Sequence, residues 1–429
     1  MTIPKRYYRY GVAAEKALYD QVIRNVDGFV LPAHLVVDQQ QSLGPWLADK
    51  GFYVDPMTHV WFSSTCDLEN STGGGFKRSY GKLMEVYGSP YSTIKDPTQK
   101  ISLDVGLNEK NIAHRDFMES LARIVDFQID FVGGMIRDAE IQAYEEVIRE
   151  MEQKEVRVPT CASQTLPQRI VLPYIYFRGY DSDEYRLNKV IWEHVKECET
   201  KNVPLFAMIA TDEPLSDWSR ISEDLKGNVD GVVLWFSSID EINSSVDQLT
   251  ALRSACKTLS SDGFKVSIHS GGAFAMGLGF DGVEDVSGGI TYGEQRAPDL
   301  VKGGPVPQRY FVPQLLRVMP QLETKFAIKR LGFDCDNLCC SPHKHDIDQF
   351  IKEFFPAKPG KPNTNWGPVR NTKLHYLYRF SQKINEVWKD GKDAGIGRLE
   401  TMRTKAEASL PEDYWIHFDT WIQAYEKKI

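Results

Sequence analysis

The chain has 429 residues, of which 42% are hydrophobic and 26% are charged, and its formal net charge at pH 7 is -8. This length and composition predict a globular protein with one large core and a smaller appendage. The acidic balance argues against a protein that coats nucleic acid without sequence preference, because phosphate contacts need lysine and arginine.

The first twenty residues include early basic side chains but lack the apolar core that a secretory signal needs. No later segment approaches the roughly 18 consecutive apolar residues of a membrane span. We therefore expect a cytoplasmic protein that does not enter a membrane. The seven cysteines of such a chain are not expected to form a disulfide framework.

Apolar and β-branched runs recur along the chain, separated by segments whose apolar residues have helical spacing. Near-continuous apolar runs are typical of a buried parallel sheet. The predicted strands lie at 28–37, 51–56, 101–105, 169–177, 203–210, 230–238, 264–270 and 288–294. From 169 to 294 strands and helices alternate strictly, which predicts right-handed crossovers in an α/β fold. Eight such strands predict a closed (β/α)8 barrel of the TIM type.

The barrel is expected to occupy residues 1–310, with a turn-rich insertion at about 63–100 over its catalytic end. After the barrel the pattern becomes mainly helical and does not extend the sheet. Residues 311–429 are therefore predicted to form a C-terminal helical subdomain that packs against the barrel.

Polar side chains follow several of the predicted strands, where a barrel of this type carries its reactive groups. These candidates are Asp55, Tyr176, Asp212, Ser237, His269, Glu284, Asp285 and Tyr292. Two carboxylates in one desolvated pocket can divide nucleophile and acid/base roles, because burial and mutual repulsion separate their pKa values. The alternative for Asp55 is a turn before Pro56, and the alternative for His269 is a packed strand-end side chain.

A glycine pair, Gly271 and Gly272, follows the predicted strand at 264–270. Its consecutive backbone N–H groups predict a place where chain and ligand approach closely, within the substrate pocket. A short glycine pair after a strand is by itself a weak signal of such a site.

A cluster of metal-ligand side chains begins the tail, with Cys335, Cys339 and Cys340 inside six residues and His375 further along. Thiolates and imidazole are the ligand set of tetrahedral zinc, and four protein ligands make a closed structural site. The cluster predicts a structural Zn²⁺ ion that ties the tail into a fixed shape. Buried thiols beside solvated histidines are the alternative.

The barrel and its Cys/His tail together resemble the tRNA-guanine transglycosylase superfamily, including the related 7-deazaguanine transglycosylases that act on DNA. CDNLCC followed by LHYLYRFSQKINEV is similar in layout to the family's zinc signature, C-x-C-x-x-C with a downstream histidine. The match places Cys335 and Cys340 on the outer cysteines and His375 on the last ligand. Asn337 occupies the middle position, where Cys339 would compensate.

The resemblance extends into the barrel, where DGVVLWFSSIDE (230–241) looks like the family's sixth strand. The family's nucleophilic aspartate lies in D-C-V-x-P-T-R near the eighth strand, which implies Asp285 or Glu284 here, without the P-T-R portion. Its acid/base aspartate lies in D-S-G-G-F-Q, which implies Asp55 in VDPMTH, without the glycines.

The resemblance implies base exchange, in which a carboxylate attacks C1′ of a nucleoside, guanine leaves and a 7-deazaguanine base enters. The substrate would be tRNA or DNA, and the pocket would be lined by Tyr176, Ser237, His269 and Tyr292. One alternative is a transglycosylase fold that has lost this chemistry and binds a protein partner, or a modified base presented by one, in antiphage defence. An unrelated barrel lyase or hydrolase with His269 as base is a third reading. The choice between monomer and homodimer stays open.

Overall fold

Eight parallel strands close into a barrel in which each strand pairs with the next and the last pairs with the first. The computed structural model describes residues 3–11, 15–22, 26–47, 50–70, 73–135, 166–212, 214, 216–290, 298, 308–335, 340, 346–355 and 366–429. The strands are β1 Lys5–Arg9, β2 Gly28–Pro32, β3 Phe52–Asp55, β4 Ile170–Val171, β5 Leu205–Thr211, β6 Gly231–Phe236, β7 Lys265–Ile268 and β8 Val283–Gly288. The predicted (β/α)8 barrel is confirmed.

Helices surround the barrel. The first two are α1 Lys16–Val22 and α2 Ala33–Leu47. The long connection from β3 to β4, which includes the predicted insertion, holds α3 Arg78–Tyr87, α4 Asp104–Leu107 and α5 Ala113–Asp126. The following crossovers hold α6 Asp183–Val195, α7 Trp218–Leu225, α8 Val246–Ser261 and α9 Ala273–Met276. Within the described ranges, no helix combines the length and apolar character that a membrane crossing requires.

Side-chain caps determine where three of the crossover helices begin. Ser182 accepts a hydrogen bond from the first turn of α6, and Asp217 does the same for α7. At α8, Ser245 and Gln248 form a reciprocal capping box. Each cap satisfies backbone N–H groups that have no partner inside the helix. The strand ends before these helices are thereby held in register.

Two of the strand predictions are wrong. Residues 101–105 lead into α4 and do not form a strand. The eighth strand of the barrel is instead β1, which was not predicted because its charged residues interrupt the apolar pattern. Arg6 is nevertheless buried, because its guanidinium donates to the Gly271 carbonyl oxygen at 2.6 Å and to the Tyr376 hydroxyl at 3.2 Å. The last strand also differs, since β8 spans 283–288, whereas the predicted run at 288–294 begins at its end and has residues 291–294 outside the described residues.

An ion pair packed against aromatic rings fills the amino end of the barrel. Arg169, directly before β4, lies over the rings of Phe206 at 4.3 Å and Tyr53 at 4.8 Å. Its Nη2 donates to Asp285 Oδ2 at 2.5 Å, and both side chains are under a tenth exposed. Such a pair leaves an uncompensated buried charge if either partner is removed. This end of the barrel is therefore a packed core.

The described part of the tail forms a small sheet and five helices that return to the barrel. The sheet pairs β9 Arg309–Val312 with β10 Arg317–Pro320 in antiparallel fashion. The helices are α10 Gln321–Leu331, α11 Ile347–Phe354, α12 Trp366–Trp388, α13 Lys392–Glu407 and α14 Ile416–Glu426. Trp421 of α14 donates to the Glu241 carbonyl oxygen at 2.6 Å, and the Tyr425 hydroxyl donates to the Phe274 carbonyl oxygen at 2.5 Å. The last helix is thus part of the barrel's outer layer.

Candidate functional site

Asp55 is a buried carboxyl group at the carboxyl end of the barrel, which we call the mouth. It ends β3 and is 1% exposed. Oδ1 accepts hydrogen bonds from the Met57 backbone N–H and the Tyr174 hydroxyl, both at 3.0 Å. Oδ2 lies 3.4 Å from Arg9 Nη2. Burial raises the pKa of Asp55 above its ordinary value, and Arg9 opposes the rise. The group is suited to carry and release a proton.

The turn that the sequence suggests after Asp55 is also present. Met57 adopts a left-handed backbone conformation with φ of 54°, which is costly for a residue with a side chain. The hydrogen bond from its N–H to the Asp55 carboxylate supports this conformation. The turn and the functional interpretation of Asp55 are therefore compatible.

Arg9 connects Asp55 to His269, the predicted pocket residue after β7. Arg9 Nη1 lies 3.3 Å from His269 Nε2, and His269 Nδ1 lies 3.2 Å from Ser287 Oγ. Because a guanidinium can only donate, this contact fits a neutral imidazole that accepts at Nε2 and donates from Nδ1 to Ser287. The imidazole is 2% exposed and packs 5.5 Å from the Trp235 ring. His269 belongs to the wall of the mouth.

Asp212 supplies a second carboxylate at the mouth and brings together two of the predicted pocket residues. It follows β5, and its Oδ1 accepts from the Tyr176 hydroxyl at 2.5 Å and from Ser237 Oγ at 3.1 Å. Arg178 Nε lies 3.2 Å from Oδ2, and the Asp212 side chain is 45% exposed. Sequence reasoning placed Asp212 at a strand end without a specific role. The fourth predicted pocket residue, Tyr292, lies outside the described residues.

Aromatic rings connect the surroundings of the two carboxyl groups. Trp235 contacts Tyr174, which donates to Asp55, at 6.2 Å and Tyr176, which donates to Asp212, at 5.9 Å. His59 stacks on Tyr174 with ring centroids 5.1 Å apart. Burial lowers the pKa of His59 to about 3, so this ring is neutral at physiological pH.

A pocket of about 590 Å³ opens beside these rings. Its lining combines aromatic, hydroxyl and charged groups and includes His59, Phe62, Ser63, Tyr176, Arg178 and Asp212. The volume falls in the range of small-molecule sites.

The two predicted nucleophiles do not reach the mouth. Asp285 is the third residue of β8, and its carboxylate accepts from Arg169 and Ser267 in the layer at the amino end. Glu284 is exposed, and because successive strand residues face opposite sides, its side chain points away from the barrel interior. Both differ from expectation because β8 begins earlier than predicted, so these carboxylates lie at its start. The structure does not bring either one together with Asp55.

The N–H groups of the glycine pair already have partners inside the protein. Gly271 donates to the Ser287 carbonyl oxygen at 2.8 Å. Gly272 donates to the buried Glu241 carboxylate at 2.6 Å, which also accepts from Phe274 N–H at 2.8 Å. An internal carboxylate therefore occupies the place where the sequence suggested a ligand. The glycines allow close packing between β7, β8 and α9.

A Cys/His cluster in the tail can hold a metal ion. The ligand atoms of Cys335, Cys340 and His375 are buried and lie within 4.8 Å of one another. His375 Nε2 lies 2.9 Å from the Phe311 carbonyl oxygen, and Nδ1 lies 3.2 Å from Cys340 Sγ. Since a carbonyl only accepts, Nε2 carries the hydrogen and the Nδ1 lone pair faces the thiol, as in metal-ligating histidines. Cys339 lies outside the described residues.

Three residues of the mouth, Arg9, Tyr174 and His59, were not singled out from the sequence. Arg9 is the last residue of β1, the strand that was not predicted because of its charged residues. Tyr174 and Tyr176 are two positions apart in VLPYIYF, a spacing that places both on one face of an extended chain. His59 follows the Asp-Pro turn in a short 3-10 helix. The spacing of the tyrosines could have indicated that both side chains face the mouth. The position of Arg9 could be predicted only if β1 was recognised as a strand.

No family model matches the chain, and no curated protein matches it. Function must therefore be argued from the geometry of the mouth and the chemistry of its residues.

Proposed function

We propose that the chain is a transglycosylase-type enzyme that exchanges guanine for a 7-deazaguanine base in a nucleic acid at the mouth of its barrel. The observation that carries this proposal is a pair of carboxyl groups in unlike environments, with Asp55 buried and Asp212 half-exposed. Such pairs divide acid and nucleophile roles in glycosidic chemistry. The resemblance of the Cys/His tail supports the same reaction class.

Asp212 is assigned the role of nucleophile. One of its oxygens would attack C1′ of the target nucleoside and form a C1′–O bond while the bond from C1′ to the base nitrogen breaks. The electron pair of the broken bond leaves with the base. Hydrogen bonds from Tyr176 and Ser237 hold the carboxylate in one orientation. This assignment replaces Asp285 and Glu284, whose positions leave them away from the pocket.

Asp55 is assigned the role of general acid and base. In its protonated form, which burial favours, it would give its proton to the departing guanine. In the second half of the reaction the carboxylate would accept a proton from the incoming base as that base attacks C1′ and releases Asp212. The proton on Asp55 is thereby restored, and the net change is one base for another.

The aromatic lining suits a base that has left its stack. Phe62, His59 and Tyr176 line the pocket beside Asp212, and each base presents a π-face to such rings. A target base inside a duplex would have to be flipped out, which costs a few kcal/mol and is easiest in single-stranded regions. Loops of tRNA and single-stranded DNA are therefore the preferred substrates of this proposal.

Zinc is proposed as the ion of the tail cluster. Thiolates from Cys335 and Cys340 with the imidazole of His375 match the preference of zinc for sulfur and nitrogen. All three ligands belong to the tail, so the ion would stabilise its fold and take no part in the chemistry at the mouth. One further ligand would complete a structural site.

The assay for this function is incorporation of radiolabelled guanine into tRNA, single-stranded DNA and double-stranded DNA by the purified protein. Asp212→Asn should reduce incorporation by at least a thousandfold, since an amide is a poor nucleophile. Glu284→Gln is the matched control, because this carboxyl is exposed outside the barrel, and it should act like the wild type. Undiminished incorporation by Asp212→Asn would refute its assignment as nucleophile.

A protein-binding role is the second candidate, favoured by exposed apolar side chains on the tail. Leu322 and Phe326, one turn apart on α10, are 62% and 38% exposed, and Ile416 is 39% exposed. The Phe326 ring contacts Tyr414 at 5.6 Å, so the apolar groups lie near one another. Exposed apolar clusters of this kind mark interaction sites. Failure of folded, metal-loaded protein to incorporate base into any of the three nucleic acids would favour this candidate.

A further inference from the structure

We propose that Arg9 binds an anionic oxygen group, a carboxylate or a phosphate, on the molecule that enters the mouth. The inference deepens the base-exchange proposal and rests on it for the molecule that carries the anion. That anion would be a carboxylate substituent on the incoming base or a phosphate of the nucleic acid.

The first argument is the weak engagement of the Arg9 guanidinium inside the protein. Its nearest described partners are His269 Nε2 at 3.3 Å, Asp55 Oδ2 at 3.4 Å and Met57 Sδ at 3.6 Å. A strong charge-assisted hydrogen bond is about 2.7–2.9 Å long. The guanidinium carries five N–H donors in a rigid fork and is 31% exposed. It therefore retains donor capacity and access to solvent.

Two other arginines of the barrel, Arg169 and Arg6, have guanidinium groups whose hydrogen bonds are made within the protein. Arg169 is 7% exposed and donates to Asp285 at 2.5 Å. Arg6 is 2% exposed and donates to the Gly271 carbonyl oxygen at 2.6 Å. Both have short contacts and no access to a ligand. Arg9 differs in contact length, in exposure and in its position at the mouth.

The second argument is the charge balance around Arg9. Burial disfavours the charged form of Asp55, and Asp55 Oδ2 makes only a long contact of 3.4 Å with the guanidinium. Burial also lowers the pKa values of the neighbouring His34 and His59 to about 3, so both rings are neutral. Among the residues that the structure describes, the remaining titratable groups that face Arg9 or Asp55 are Tyr80, Tyr87, Tyr174 and His269. The tyrosines are neutral because burial raises their pKa values.

An anion bound at Arg9 would therefore give the guanidinium a closer counter-charge than Asp55 provides. The planar fork matches carboxylate and phosphate oxygens, which it can bind in bidentate fashion. A cationic substituent at the same position would meet a like charge. The site thus discriminates between ligands of one shape by the sign of their charge.

The test compares benzoate with benzamidine, two planar rings of similar size and opposite charge, by ligand-observed NMR titration at pH 7. Benzoate should bind the wild type more tightly than benzamidine does. Arg9→Gln should weaken benzoate binding about tenfold, the loss expected for one charge-assisted contact, and Arg9→Lys should restore part of it. Arg115→Gln removes an 84% exposed cation of α5 that pairs with Glu119 outside the mouth and should change benzoate binding less than twofold.

Equal benzoate binding by the wild type and Arg9→Gln, or no preference for benzoate over benzamidine, would overturn the proposal. Circular dichroism and melting curves check that each variant is folded. Displacement of benzoate by methyl phosphate would assign the group to phosphate as well as carboxylate, and failure to displace would assign it to carboxylate. If base exchange fails while benzoate binding still depends on Arg9, the anion site stands and the base-exchange proposal falls.

Discussion

Two buried aspartates of this barrel, Asp55 and Asp285, have different roles. The extent of their burial does not distinguish these roles. Asp55 is 1% exposed and Asp285 is 2% exposed. Asp285 is neutralised by Arg169 at 2.5 Å, whereas the nearest cation to Asp55 among the described residues is Arg9 at 3.4 Å. A tight ion pair makes a carboxylate structural, while a loosely paired buried carboxyl is available for proton transfer.

Asp285→Asn is therefore expected to destabilise the fold by about 3–5 kcal/mol, because it leaves Arg169 buried without its counter-charge. Urea denaturation monitored by circular dichroism measures the effect. The neighbouring Glu284→Gln is the matched control and should stay within about 0.5 kcal/mol, as for an exposed substitution. A stable Asp285→Asn variant with lost base exchange would instead support a catalytic role for this residue.

Asp55→Asn should change how stability depends on pH. Burial raises the folded-state pKa of Asp55 above the ordinary value of 3.8, so the native wild type holds a proton that the unfolded chain releases. Its stability falls as pH rises from 3.8 through the folded-state pKa, by about 1.4 kcal/mol for each unit that separates the two values. Asparagine does not titrate, so the unfolding free energy of the variant relative to wild type should increase from pH 4 to pH 8. A decrease over this range would show that the pKa is lowered.

Sequence reasoning located Asp55, Tyr176, Ser237 and His269 at strand ends because the carboxyl end of a strand can be read from its apolar run. It misplaced Asp285 because the apolar residues of β8 are few and the strand begins two residues before that carboxylate. The position of a carboxylate along a strand decides between core and mouth. For β8, the position of Asp285 along the strand could not be predicted from the pattern of apolar residues.

At the scale of elements, β4 to β7 and their crossovers followed from the alternation of apolar runs and helical segments, whereas β8 begins earlier than predicted. The first strand could not be recognised in the same way. Its charged residues are compatible with a barrel wall only because Gly271 and Tyr376 accept hydrogen bonds from Arg6. Those partners lie hundreds of positions away, so no local pattern reveals them.

The glycine pair after β7 shows a second limit of local reasoning. A carboxylate from another loop, Glu241, already accepts the N–H groups of Gly272 and Phe274. The pattern correctly indicated a turn that gathers backbone donors. It did not distinguish an internal acceptor from a ligand, because Glu241 approaches from a different part of the chain.

The tail helices and small sheet should depend on the metal cluster for stability. Because a bound ion stabilises only the folded form, a chelator should lower the melting temperature in the absence of any substrate. Elemental analysis should find zinc in the wild type and little in Cys340→Ser. Cys198→Ser, which changes a half-buried cysteine outside the cluster, should keep it. An unchanged melt together with no metal in the wild type would refute the assignment.

At the scale of the whole molecule, the barrel and the tail are built as one unit. Arg253 of α8 pairs with Asp281 at 2.8 Å and also donates to the Ala424 carbonyl oxygen in α14. The Cys/His cluster is held between β9 and α12, and Tyr376 of α12 accepts a hydrogen bond from Arg6 of β1. The tail therefore supports the wall of the barrel.

The central claim is that the mouth around Asp55 catalyses base exchange, and the most direct measurement is the rate of labelled-guanine incorporation by Asp55→Asn beside Glu284→Gln. The account predicts incorporation into tRNA or single-stranded DNA by the wild type and by Glu284→Gln. It predicts a loss of at least a hundredfold in Asp55→Asn, in line with the usual contribution of general acid–base catalysis. Equal rates in the two variants, with both proteins folded, would contradict it.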